Sequence, residues 1–304
     1  MSTAFRVTQR TVTQTMMGGL QANFERLQKI QEQLSSGKQI SRPSDGPVQT
    51  AEAMQFRSQI RRAEQYVRNA DDGVALLGTA DTALTNSLDM TRRVRDLTLI
   101  GLNASTSDQA KLALAAEIDT LRESLVGIAN TRYLDRPVFG GNAAGSTAYT
   151  TPGGVYTGDA GAVVRTIGSG TQVEVNVAGP DVFGQSAPGG TQLFDVLRGI
   201  SAALRGQPPS DGVTSLDDGL TKLDTASNRI ITALGSVGAR FNRVDTMRTR
   251  AENQILDLTS GLSNVEDIDL PRTIVDLQMQ EVAYKAALGA TARVVQPSLL
   301  DFLR

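Results

Sequence analysis

The sequence predicts a mainly α chain with a small β insert, nested so that a terminal coiled coil encloses a long-helix bundle, which carries a distal β domain. Three observations predict it. Heptad-spaced apolar residues run through both flanks over lengths well beyond an ordinary globular helix. Residues 140–190 hold 13 of the 29 glycines of the 304-residue chain, which confines long helices to the flanks. Helical segments before and after a β insert make the chain leave and return, so that its two termini lie together.

Taken in order, Met16, Leu20, Leu27, Ile30 and Leu34 form a first seam, closed by the breaker Ser41-Arg-Pro-Ser-Asp-Gly-Pro47. Ala53, Phe56, Ile60, Ala63, Val67, Ala70, Val74 and Leu77 then alternate by three and four, and the pattern continues more loosely through Ala80, Leu84, Leu88, Val94 and Leu97. A polar break over 103–108 precedes a further helix with Leu114, Ile118, Leu121, Leu125 and Ile128 on one face. In the Gly-rich middle, Val163 to Ile167, the turn Gly168-Ser-Gly170 and the alternating Val173, Val175 and Val177 read as a hairpin. A short helix bearing Phe194, Leu197, Ile200 and Leu204 follows and stops before Pro208-Pro209.

The longest seam starts at Leu216 and runs through Leu220, Leu223, Ile230, Leu234, Val237, Phe241, Val244, Ala251, Ile255, Leu258, Leu262 and Val265, with Ser227 and Arg248 as its interruptions. Ser215 and Asp218 have capping-box spacing at its start. Gly235 and Gly238 lie inside it, where each glycine costs about 1 kcal/mol relative to Ala, and are expected to mark a close approach of helices. Glu266-Asp-Ile-Asp-Leu-Pro271 supplies acidic caps and an early proline for a last helix with Ile274, Leu277, Tyr284, Leu288 and Val295. Pro297 stops that helix and leaves the apolar tail Leu299, Leu300, Asp301, Phe302 and Leu303.

These segments divide the chain into 1–45 with 266–304 as a terminal coiled-coil assembly domain, 46–139 with 191–265 as a helical bundle, and 140–190 as a Gly-rich β insert. Two terminal helices cannot cover both of their seams and the tail. The candidate functional residues are therefore a self-assembly interface of Met16, Leu20, Leu27, Ile30, Leu34, Ile274, Leu277, Tyr284, Leu288, Val295, Leu299, Leu300 and Phe302.

Composition narrows the chemistry. With 30 Lys+Arg against 32 Asp+Glu, the net charge of −2 gives no broad attraction to nucleic acid or to anionic membranes. Cys and His are both absent, which removes thiol and imidazole catalysis, disulfides and the usual zinc ligands. Gly37-Lys38 lacks the remainder of a phosphate-binding loop, and Gly168-Ser-Gly170 fits a hairpin turn better than a dinucleotide motif. The pairs Asp71-Asp72, Asp217-Asp218 and Glu266-Asp267 read as caps and solvated faces, because adjacent helical residues point to different sides. The reading is of a protein that is not an enzyme, with no catalytic, cofactor or metal residues. No run of 18 apolar residues occurs, and the start lacks the apolar core of a cleaved signal, so neither membrane insertion nor the general secretory route is expected.

The stretch Leu34-Ser-Ser-Gly-Lys-Gln-Ile-Ser-Arg-Pro-Ser-Asp-Gly-Pro47 resembles the segment after the first helix in the flagellin superfamily, and its Pro-Ser-Asp-x-Pro form is similar to the hook–filament junction branch of it. Gln65-Tyr66 with Asn69, Val237-Gly-Ala-Arg-Phe-Asn-Arg243, and the tail Gln296-Pro-Ser-Leu-Leu-Asp-Phe-Leu303 are further resemblances in matching order. So are Val155-Tyr-Thr-Gly-Asp159, Val175-Asn-Val177 and Asp181-Val-Phe183 of the insert. The resemblance implies a flagellin-like fold and a structural axial protein of the bacterial flagellum, exported through the growing organelle and acting outside the cell. It implies as partners further copies of the chain in a homo-oligomeric ring, a preceding hook-associated protein, flagellin and a flagellar export chaperone, with no nucleic acid. Flagellin itself, the filament subunit, is the alternative within the superfamily. Outside it, a cytoplasmic coiled-coil adaptor conflicts with the Gly-rich insert and the paired terminal seams, and a carboxylate-dependent enzyme with the missing His and Cys.

Overall fold

The computed structural model describes residues 9–143, 145, 147–186 and 192–295. The chain forms α1 (Gln9–Ser36), a 3-10 turn at Pro43–Asp45, α2 (Pro47–Leu102), α3 (Asp108–Ala129), β1 (Arg132–Tyr133), β2 (Arg136–Pro137), β3 (Val164–Gly168), β4 (Thr171–Glu174), α4 (Gly179–Phe183), α5 (Leu193–Leu204), α6 (Leu216–Glu266) and α7 (Leu270–Val295). It divides into a terminal unit, Met1–Arg61 with Leu256–Arg304, and a central unit, Arg62–Ile255.

In the central unit α2 and α6 run antiparallel, tied by Arg95 Nε to Asp224 at 2.7 Å towards one end and by Arg248 to Asp71 at 3.6 Å towards the other. Their facing sides repeat every seven residues. Ala63, Ala70, Leu77 and Leu84 on α2 and Leu223, Ile230, Val237, Val244 and Ala251 on α6 are all buried. The α2 series does not fade where the apolar pattern loosens, because Thr91 and Thr98 occupy its next two positions and are fully buried, with Ser87 beside them. Each hydroxyl donates to the carbonyl four residues back, Ser87 to Ala83 at 2.8 Å, Thr91 to Ser87 at 2.7 Å and Thr98 to Val94 at 2.7 Å. A small hydroxyl satisfied by its own helix is buried without an orphaned polar group.

α3 begins at the expected polar break, where Ser107 Oγ accepts from Ala110 N–H at 3.3 Å. It packs against α5, and Ser201 Oγ donates to Ala115 O at 3.3 Å. The hairpin forms as read, β3 pairing antiparallel with β4. Ala148, Tyr149, Ile167, Val173, Val175, Val177, Val182 and Phe183 share one continuous buried cluster with the bundle. The rings of Phe139, Tyr149, Phe183 and Phe194 meet at centroid distances of 5.2–5.7 Å. Asn69 Nδ2 donates to Thr166 O at 2.7 Å, and a Cβ at Gly73 would lie 3.1 Å from Val175 Cγ1, so the hairpin rests directly on α2.

Two local readings are corrected. Gly235 and Gly238 do not mark a close approach, since a Cβ at either would meet nothing within 4 Å. Close packing instead uses Gly73, Gly199 and Gly219. The capping box at α6 is only half formed. Ser215 Oγ accepts from Asp218 N–H at 3.1 Å, whereas the Asp218 carboxylate accepts from Thr214 N–H at 2.8 Å rather than from Ser215.

In the terminal unit α1 lies antiparallel on α7. Phe24 and Tyr284 stand 5.9 Å apart, Gln280 Nε2 donates to Asn23 O at 3.1 Å, and Gly37, in the left-handed region at φ 71°, ends α1. Among the described side chains of this unit only Ala53 and Glu266 are buried.

Gly199→Ala is expected to lower the melting temperature, because the new methyl would fall 2.7 Å from Val213 Cβ and 3.0 Å from Ser210 O in a buried site. Overpacking of that kind costs roughly 1–3 kcal/mol. Gly235→Ala and Gly238→Ala, in open helical positions, are expected to stabilise by about 0.5–1 kcal/mol each. Thermal melts of the three variants check the opposite signs.

Stability against pH follows from the carboxyls. Asp159 is held below the usual range by N–H groups of Gly161 and Asn142, Asp211 by the Arg198 guanidinium, and Asp218 by Thr214 N–H and then Lys222. A carboxyl lowered on folding adds stability that is fully present above its unfolded value of about 3.9 and is lost as pH falls towards the folded one. With no His in the chain, melting temperature is expected to be flat from about pH 5.5 to 8 and to drop below about pH 4.

Candidate assembly interface

The seam residues of α1, namely Met16, Leu20, Leu27, Ile30 and Leu34, are all half-buried on the side that meets α7. On α7, Leu277 and Tyr284 are half-buried against α1, while Ile274 and Leu288 remain 46% and 43% exposed. Val295 is the last residue of α7, with its side chain outside the described set, and Leu299, Leu300 and Phe302 lie outside the described residues altogether. The structure thus brings the α1 and α7 seams together but leaves them only partly covered.

A second stripe escaped the one-face reading. At 100° per residue, Leu277, Gln280 and Tyr284 lie on one side of α7, and Val275, Met279 and Val282 lie on the opposite side, at 54%, 64% and 67% exposure. The four- and three-residue spacing of this outer set is itself a helical signal. It was masked because a helix apolar on two opposed faces does not look amphipathic. Met17 and Phe24 add 51% and 43% exposed apolar side chains on α1. These side chains leave apolar surface open on both terminal helices.

Other features of the structure give no reactive constellation. Among the described residues no group of three or more acidic, His or Cys side chains could hold a metal ion, and no helix is long and apolar enough to cross a membrane. Glu266 differs from the solvated residue that the sequence suggests. Its carboxylate is buried, and Oε1 accepts from Lys38 Nζ at 2.8 Å and from the Arg57 guanidinium. Burial raises the Tyr149 hydroxyl far above the normal phenol range, which leaves it a neutral core residue.

Long antiparallel helices around a core that repeats every seven residues, a small β insert between them, and α1 paired with α7 in one terminal unit define a flagellin-like fold. Residues 7–142 match the bacterial flagellin N-terminal helical region. The chain resembles flagellar hook-associated protein 3. It is 23% identical over 301 residues to that protein of Escherichia coli, an alignment that covers 93% of this chain and 94% of the relative. It is also 25% identical over 310 residues to flagellin of Bacillus subtilis, covering 98% of this chain and all of the relative. The solved structure of a flagellar hook-associated protein from Vibrio parahaemolyticus has the same fold, with a TM-score of 0.65 and 21% identity over 73% of this chain and 100% of that one. The similarity supports a structural, non-enzymatic flagellar role.

Limited trypsin digestion of the isolated chain is expected to cut first in the terminal unit, after Arg26, Lys29, Arg272 or Lys285, before any site in α6 between 216 and 250. Mass mapping of the earliest fragments checks it. Early cuts within 216–250 with both terminal helices intact would contradict it.

Proposed function

We propose that the chain is an axial structural protein of the bacterial flagellum that joins the hook-associated zone to the flagellin filament by self-assembly. The observation that carries this reading is the terminal unit, whose helices pair with each other yet leave apolar side chains open on both α1 and α7. In this reading residues 1–45 with 266–304 form the assembly domain, 46–139 with 191–265 the bundle, and 140–190 its insert. Neighbouring copies cover the α1 and α7 seams, the outer α7 stripe, and the segment carrying Leu299, Leu300 and Phe302. The partners are further copies of the chain, a preceding hook-associated protein on one side and flagellin on the other, with an export chaperone before assembly. The site of action is the flagellum outside the cell.

The full-length similarity to Bacillus subtilis flagellin supports a second reading, a filament subunit, built on the same terminal design. Deletion in the native host separates the two. Loss of a junction protein leaves hooks and exported flagellin monomer without attached filaments, whereas loss of a filament subunit removes that monomer.

Ordering terminal helices that bury little by themselves costs entropy that contacts between copies must offset, so assembly depends on these side chains. Removing a buried Leu costs roughly 2–5 kcal/mol, or about 30-fold or more per contact. Leu27→Asp and Leu288→Asp are expected to abolish filament attachment and motility, while circular dichroism shows the central unit melting nearly as in the unsubstituted chain. Motile cells carrying either substitution would refute the assignment.

A further inference from the structure

The terminal unit has almost no apolar core, and its one buried charged side chain is Glu266 among the described residues. Glu266 ends α6, with its side chain 8% exposed. Its Oε1 receives Lys38 Nζ, just beyond α1, at 2.8 Å, and the guanidinium of Arg57, from the start of α2. The main chain is tied at the same place, since Gln39 N–H donates to Glu266 O at 2.7 Å and Ile268 N–H donates to Gly37 O at 3.1 Å. The end of α1, the start of α2 and the end of α6 therefore meet on one carboxylate.

The seam between α1 and α7 is a poor ruler. Leu20, Leu27 and Leu34 are seven residues apart, as are Leu277 and Tyr284, so a slide of one heptad still sets leucines of α1 against apolar residues of α7. The same slide would draw Lys38 away from Glu266 and leave a buried carboxylate short of its partners. A buried ionic group satisfied in one arrangement only is a device that selects that arrangement. We infer that Glu266, clasped by Lys38 and Arg57, is a positioning residue that sets the register of α1 on α7. This goes beyond the assembly reading and does not depend on it.

The absence of Cys in the chain makes register measurable by cross-linking. Asn23→Cys with Gln280→Cys reports the observed register, in which these side chains touch, and Asn23→Cys with Ala287→Cys or with Thr273→Cys reports a slip of one heptad either way. With Glu266 intact, a short bis-maleimide is expected to link 23 to 280 about tenfold faster than 23 to 287 or 273, a slip being about 10 Å along a helix. Glu266→Leu, which keeps bulk and removes charge, is expected to lower that ratio several-fold, the two main-chain ties remaining. Lys38→Met with Arg57→Met removes the clasp from the other side and is expected to do the same. An unchanged ratio in these variants overturns the inference. So does loss of all three cross-links together with helical circular dichroism, because Glu266 would then hold the helices folded rather than in register. No flagellum enters the experiment, so its failure is distinct from failure of the assembly reading.

Discussion

The seven-residue repeat shared by α2 and α6 is the constraint on which the rest of the central unit depends. Once Ala70, Leu77 and Leu84 lie level with Val244, Val237 and Ile230, the two helices have one antiparallel alignment in which their ion pairs also close. That alignment fixes where α2 can receive the hairpin, at Asn69 and Gly73, and where α6 can hold it, at Arg240, whose guanidinium donates to Asn176 O. The insert is thereby positioned by side chains on the bundle rather than by a sheet of its own. With strands as short as β3 and β4, a two-stranded ribbon would be marginal alone.

The two units differ in what holds them. The central unit buries large apolar side chains at successive levels and closes its aromatic cluster around Tyr149 and Phe183. The terminal unit instead depends on half-buried seams, a few main-chain ties and one clasped carboxylate. Local stability follows buried apolar contact, so the terminal unit belongs at the low end of the range of opening free energies and the central unit at the high end. That ordering is what the proposed assembly requires, a surface that other chains complete. A two-helix element that satisfied all of its apolar groups internally would have no reason to take up a partner.

Much of this was legible in the sequence because strict periodicity survives any tertiary context. The heptads gave α2 and α6, the polar stretch 103–108 gave the gap before α3, and the Gly168-Ser-Gly170 turn between alternating valines gave the hairpin. What stayed hidden has identifiable causes. Thr91 and Thr98 look like surface residues until their hydroxyls are seen bonded to their own helix. Gly235 and Gly238 lie on a long seam by position but not by direction. The stripe of Val275, Met279 and Val282 was obscured by the seam opposite. The aromatic cluster carries no period at all, because its rings come from loops and short helices brought together by the bundle.

Glu266 shows why local reading fails most at a polar contact. On the sequence it is one of two adjacent acids before a helix, and Asp269 nearby does act as a cap, accepting from Arg272 N–H at 3.2 Å. What distinguishes Glu266 is the company of Lys38 and Arg57, which lie more than two hundred residues away along the chain. An apolar residue there could pack at least as well, since a buried ion pair often gains little over a hydrophobic replacement. Its use is therefore better explained by discrimination than by strength. Apolar contacts of similar size tolerate sliding, whereas a carboxylate that needs two particular cations does not, and in the proposed assembly a helix pair would have to hold its spaced side chains at fixed heights. The weakly buried part of the molecule is thus the part in which a satisfied charge contributes most, because few other contacts there can tell one alignment from the next.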